Sequence, residues 1–258
     1  MRLSASRTVL GIIFPYVERS GSRISMSAPT VASRSTLLGN ADFFARCDLV
    51  LASASPRRKE IFGLMQLSPR VVISDFEENL DKKSFARPED YAVTNARCKA
   101  AEVAARLFAD RRKAEDGGGG AQNLPVVVVG ADTIVDLDGE ILEKPRDEQE
   151  AHEVLSRLSG RQHLVHSGVA VFTAACGAEQ PAAEFCATTR VAFASLSAGE
   201  IAAYIKSGEP MDKAGSYGIQ GLGGQMVTGV EGCYFNVMGF PFNRFAGTVA
   251  ALIAEGKV

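Results

Sequence analysis

Tryptophan is missing altogether from these 258 residues, histidine occurs three times, and aromatic side chains make up only 7% of the chain. No stretch interleaves aromatic with basic residues, so the stacking platforms of a single-stranded nucleic-acid binder are lacking. The five cysteines (Cys47, Cys98, Cys176, Cys186, Cys233) are odd in number, far apart and never in a C-x-x-C pair. They read as reduced core thiols in a reducing compartment, with no zinc site. His152, His163 and His166 are too scattered to form a metal cluster and read as surface or loop histidines. No apolar run approaches membrane-spanning length, and no internal repeat is present.

Charge is unevenly spread. Residues 1–40 hold five arginines, no lysine and a single acid, a net +4 within a chain whose net charge is −2. The rest is therefore acidic, which argues against general nucleic-acid or membrane-surface binding. A polyanionic ligand must be met by a local basic pocket. The arginine- and serine-rich beginning reads as an organelle-targeting segment or as plain disorder. Its apolar stretch Val9–Pro15 is short for a secretory core, and Met26 offers a second start site. Residues 1–45 are accordingly set apart as an N-terminal extension, and 46–258 as the globular domain. A cytoplasmic location is expected, or a mitochondrion or plastid if residues 1–40 act as a transit peptide.

What is present is an alternation of strands and helices. Cys47–Ala52 reads as a buried strand and Pro56 to about Met65 as a helix, with Ser55 at its N-cap and Pro56 at its first position. Arg70–Asp75 reads as a strand and Pro88 to about Lys113 as a helix; the four glycines Gly117–Gly120 break it as a surface loop. Leu124–Val129 is apolar and β-branched, as at the centre of a sheet. Asp138-Gly139 marks a hairpin between Ile134–Leu137 and Glu140–Glu143. A helix at Asp147–Leu158, strands at His163–Ala174 and Glu184–Phe193, a helix at Ala198–Lys206, a strand near Gln225–Val230 and a helix at Pro241–Glu255 complete an α/β fold with a mixed sheet.

Several residues fit chemistry better than scaffolding. Arg57, Arg58 and Lys59 crowd the first turn of a helix whose tip is already positive, an unfavourable arrangement unless an anion such as phosphate docks there; a solvated basic turn is the alternative. Asp132 is expected just past the end of a central strand, where a carboxylate binds a divalent ion or orients water. Pro145 restricts Lys144 to extended geometry and so aims its ammonium. Asp75, Glu77 and Glu78 supply further carboxylates, while Lys99 reads as part of a solvated helical face. Five glycines between Gly215 and Gly224 permit close approach of a ligand, and Gln220 among them offers both donor and acceptor to a planar base. Together these call for a nucleoside triphosphate, a divalent metal and attack by water.

Ser-Ala-Ser-Pro-Arg-Arg, Gly-Ala-Asp-Thr followed by Glu-Lys-Pro-Arg-Asp, Leu-Ser-Gly, Asp-Lys-Ala-Gly-x-Tyr-Gly-Ile-Gln-Gly and Tyr-Phe-Asn-Val-Met-Gly-Phe-Pro run in order from about Leu49 to Phe242. This set closely resembles the Maf family of nucleoside triphosphate pyrophosphatases. The resemblance implies an elongated, twisted mixed β-sheet flanked by helices, in two lobes around a central cleft, as in the inosine triphosphatases, and usually a homodimer. It implies cleavage between the α- and β-phosphates, with Asp132 as proton acceptor. Arg57, Thr133 and Gln220 match positions tied to base specificity. Ser53, Arg58, Glu78, Lys99 and Lys144 match phosphate- and metal-contacting positions, Glu78 being chosen over Glu77 by a gapless count from Arg58. Tyr-Gly-Ile-Gln-Gly looks like the dTTP/UTP branch, with Mg²⁺ or Mn²⁺ held by Glu78 and Asp132. Two other readings stay open: a pyrophosphatase for modified nucleotides, and a nucleotide-binding regulator of cell division without turnover.

Overall fold

A computed structural model describes residues 37–116 and 124–258. Residues 1–36 of the proposed targeting segment 1–40 and the glycine run at 117–120 lie outside the described residues. In chain order the elements are α1 (Ala41–Phe44), β1 (Asp48–Leu51), α2 (Pro56–Leu64), β2 (Arg70–Val71), α3 (Pro88–Asp116), β3 (Val126–Leu137), β4 (Glu140–Leu142), α4 (Glu148–Leu158), β5 (Gln162–Thr173), β6 (Ala183–Phe193), α5 (Ala198–Lys206), β7 (Val227–Glu231), α6 (Tyr234–Met238) and α7 (Phe242–Ala254). Leu37, Phe43 and Phe44 pack against the main core.

The seven strands form one mixed sheet in the order β2-β1-β3-β5-β6-β7, with β4 paired to β3. β1 is parallel to β2 and β3, whereas β3–β5, β5–β6 and β6–β7 are antiparallel. Alternation along β3 serves two layers, as the period of two in a strand requires. Val126 and Val128 face α3 and pack with Ala100, Val103 and Phe172. Val127 and Val129 face the opposite layer, built on Phe62, Leu155, Ile201 and Phe245 from α2, α4, α5 and α7. Phe62 contacts Phe240 and Phe245 at 4.9 and 5.4 Å between ring centroids, which fixes α2 against the turn before α7.

β3 is longer than the sequence suggests. It continues through Gly130 and Ala131 to Leu137, so Asp132 lies inside the strand, opposite Gly168 of β5, rather than past its end. The cause is the uninterrupted ladder to β5, which outweighs the weak strand preference of Gly130, Ala131 and Asp132. The hairpin forms as expected, with φ of 55° and 87° at Asp138 and Gly139. β2, expected over six residues, shrinks to two because β1, its only partner, ends at Leu51. His163 and His166 sit buried on β5 instead of at the surface. Cys176 is exposed and the other four cysteines are half-buried, so none is a fully buried core thiol.

Two glycines set the distance between α3 and the sheet. A Cβ at Gly130 would stand 2.2 Å from the Ala96 carbonyl oxygen, and one at Gly168 would stand 2.3 Å from that of Ala92. The helix backbone therefore rests directly on the strands. Gly168→Ala is expected to destabilise the fold by about 1–3 kcal/mol, since a rigid backbone atom must move to admit the methyl group. Urea unfolding checks this, and an unchanged midpoint would show that the approach is not tight.

Candidate active site

A cleft of about 390 Å³ opens where the carboxyl end of β1, the tip of α2, the middle of β3 and the glycine-rich segment after α5 converge. Five cationic side chains line it against three carboxylates, so the net-acidic protein turns a positive pocket to this point. Ser53, Arg57, Arg58, Glu78, Asp132 and Lys144 all contribute to the lining, as do Lys99, Thr133 and Gln220. The geometry thus gathers the nine residues that the resemblance places at the site, whereas Asp75 and Glu77 are not part of the lining. Lys59, the third cation of the α2 tip, is exposed and takes no part.

At the α2 tip the two arginines divide their labour. Arg58 is buried and donates to three neutral oxygens: Ser53 Oγ at 2.8 Å, the Gly239 carbonyl at 3.0 Å and Thr133 Oγ1 at 3.1 Å. Burial pulls its pKa down, while the Asp132 carboxylate acts the other way. It is a strut that joins β1, β3 and the turn after α6. Arg57 instead donates from Nη1 to Asp212 Oδ2 at 2.9 Å and from Nη2 to the Asp212 carbonyl at 3.0 Å. Ser55 occupies the N-cap without a side-chain cap bond, and the first turn holds no acid. The amide groups there remain open to an anion.

Opposite stands the buried pair Lys99 and Asp132. Because α3 lies so close to Gly130 and Gly168, the Lys99 ammonium reaches Asp132 Oδ1 at 2.9 Å and also Glu78 Oε2 at 2.6 Å. Lys99 is 8% exposed, which overturns the reading of a solvated face; the lysine stem is packed under its own helix and only a charge partner makes that burial tolerable. Among the described residues nothing donates to Asp132 Oδ2, so one oxygen is anchored and the other is available. Glu77, the alternative to Glu78, meets only Asn79 among the described residues. Two hard carboxylates suit Mg²⁺ or Mn²⁺, which take one or two protein carboxylates and complete their shell with phosphate oxygens and water. No cluster of three or more potential ligands occurs among the described residues, so an all-protein cage is not available there.

Lys144 is exposed at the rim and makes no ion pair among the described residues, while Glu143 beside it accepts from Tyr91 Oη at 2.7 Å and pairs with Lys82. Thr133 Oγ1 lies 2.8 Å from Ser167 Oγ and 3.2 Å from the Gly239 carbonyl. Gln220 is exposed on the glycine-rich segment. That segment is rooted by residues which sequence reasoning missed. Glu209 accepts from Leu222 N at 2.8 Å, Tyr204 Oη at 2.9 Å and Gly223 N at 3.1 Å. Tyr217 Oη lies 2.8 Å from His163 Nε2 in the core. Asp212 and Lys213 stand within the quoted Asp-Lys-Ala-Gly run, but only the fold reveals that Asp212 meets Arg57.

A family model described as Maf-like protein matches residues 48–252. A human protein named "Probable bifunctional dTTP/UTP pyrophosphatase/methyltransferase protein" is 49% identical over 207 residues, covering 79% of this chain and 32% of that protein, so the chain spans about a third of its length. A dTTP/UTP pyrophosphatase of Clostridium perfringens (strain 13 / Type A) is 44% identical over 197 residues, 76% of this chain and 92% of the relative. One of Thermococcus onnurineus (strain NA1) is 46% identical over 193 residues, 75% of this chain and 91% of the relative.

The root of the glycine-rich segment is sensitive to acid. Burial pushes the His163 pKa down to about 4 from an ordinary 6.5. The unfolded chain therefore takes up this proton at a pH where the folded one refuses it. Stability is fully present above about pH 6.5 and declines as pH falls towards 4, by on the order of 3 kcal/mol for this group. Denaturant unfolding at pH 7 and pH 4 is expected to show this slope in the natural chain and a flatter one in His163→Gln; equal slopes would contradict it.

Proposed function

The chain belongs to the Maf family, and from that premise we propose that it is a nucleoside triphosphate pyrophosphatase acting on dTTP and UTP. It cleaves between the α- and β-phosphates to give the monophosphate and pyrophosphate, a house-cleaning reaction on nucleotide pools. The observation that carries this reading is the anchored carboxylate of Asp132, with one oxygen tied to Lys99 and the other open to the positive cleft. Such a group is oriented to take a proton from water beside a bound polyphosphate, the role of a general base.

The other residues divide into three tasks. Arg57, Lys144, Ser53 and the uncapped α2 tip receive phosphates, and Arg58 holds that tip in register with β3. Charge that builds on the departing pyrophosphate is met by the same cations. A divalent ion, when bound, neutralises phosphate charge, and Glu78 and Asp132 would hold it. Gln220 and Thr133 read the base: uracil and thymine offer an N3–H flanked by carbonyl oxygens, whereas cytosine has an unprotonated N3 and an amino group. The family resemblance further supports a homodimer, and the acidic body argues against nucleic acid or a membrane surface as partner. No helix among the described residues is long and apolar enough to cross a membrane.

Pyrophosphate release from a panel of nucleoside triphosphates tests the reading. dTTP and UTP are expected to lead, and release from none of them would refute it. Asp132→Asn should lower kcat at least about 100-fold with an unchanged circular dichroism spectrum; near-normal turnover would remove Asp132 from the role. Arg57→Ala should raise KM and lower kcat together, because one charge meets phosphate in both ground and transition states.

A further inference from the structure

A carboxylate is out of place among the phosphate-binding cations of a cleft that has to admit a polyanion. Asp212 is such a group: it lines the cleft, its side chain is 58% exposed, and both its oxygens are engaged by cations. Oδ2 accepts from Arg57 Nη1 at 2.9 Å, and Oδ1 accepts from Lys213 Nζ at 2.6 Å. We propose that Asp212 is an internal stand-in for phosphate, which occupies Arg57 until a triphosphate displaces it and thereby selects long phosphate chains over the shorter products. The proposal rests on the reading of the cleft as a polyphosphate site.

Three observations separate Asp212 from its neighbours. Arg58 satisfies neutral oxygens from three segments and is buried, so it cannot change partner cheaply, whereas Arg57 is 20% exposed and paired to an exposed carboxylate. Exposed pairs of this kind are exchanged at little cost. The carboxylate holds only Nη1 of Arg57, Nη2 donating to the Asp212 carbonyl, and guanidinium N–H groups donate to carboxylate and phosphate oxygens alike, so exchange at Nη1 needs no rebuilding of Arg57. Finally, the glycine-rich segment does not depend on the Asp212 carboxylate, because Glu209, Tyr204 and the Tyr217–His163 contact anchor it.

The consequence is a threshold. An entering anion must outcompete Asp212 for Arg57 and then tolerate its charge nearby. A triphosphate brings enough charge and enough other contacts to do so. Pyrophosphate and the monophosphate hold fewer cations each, so the returning carboxylate expels them. Asp212 is thus a specificity residue that acts by repulsion, and it speeds product release.

Calorimetric binding of inorganic tripolyphosphate and pyrophosphate to the full natural chain, Asp212→Asn and Asp212→Glu tests this without involving the base. Asp212→Asn is expected to bind pyrophosphate at least about threefold more tightly, with a smaller gain for tripolyphosphate, and Asp212→Glu to restore the natural preference. In parallel, product inhibition of dTTP turnover by pyrophosphate should strengthen in Asp212→Asn. Unchanged or weaker pyrophosphate binding, or an equal gain for both probes, would overturn the proposal. Failure of the natural chain to hydrolyse any nucleoside triphosphate would instead refute the functional reading, while the polyphosphate titrations still judge Asp212.

Discussion

One ammonium group organises this molecule's chemistry. Lys99 is buried beneath α3 and shared between Asp132 and Glu78, and it reaches them only because Gly130 and Gly168 let the helix backbone rest on the sheet. A buried lysine without partners is strongly disfavoured, and the buried carboxylate of Asp132 is repelled by the exposed one of Glu78 beside it. Each group removes the other's penalty. The arrangement also leaves one oxygen of Asp132 without a donor among the described residues, facing a cationic cleft, so the interaction that stabilises the packing is the one that orients the proposed base.

The opposite wall follows a different logic. Arg58 spends its donors on Ser53, Thr133 and the Gly239 carbonyl, all neutral, and so locks the α2 tip to β3 without cancelling its own charge. The Phe62–Phe240–Phe245 cluster beneath it keeps Gly239 in place. Arg57 stays near the surface with a partner it can exchange. A fixed cation and an adjustable one, adjacent in sequence, suit the proposed role of holding and releasing phosphate.

The frame was legible in the sequence where local signals and tertiary pairing agree. The apolar β-branched run Val126–Val129 and the Asp138-Gly139 turn each produced the element they imply. The residues that line the cleft were legible as a set through their motifs, but their contacts were not. Lys99 looked like a solvated residue because helical spacing does not report how closely the sheet approaches. His163 and His166 looked like surface groups because a buried strand histidine has no signature beyond its neighbours. The length of β3 escaped because Gly130, Ala131 and Asp132 are weak strand formers held by the ladder to β5. The Arg57–Asp212 pair joins residues 155 apart, a distance over which a single sequence carries no pairing signal.

The most direct test is a crystal structure of Asp132→Asn soaked with dTTP and Mg²⁺. Phosphates lying between the α2 tip and Lys144, with thymine beside Gln220 and the α-phosphate facing residue 132, is the arrangement expected. Nucleotide bound away from the α2 tip, with Arg57 still on Asp212 and no phosphate near residue 132, would contradict the account.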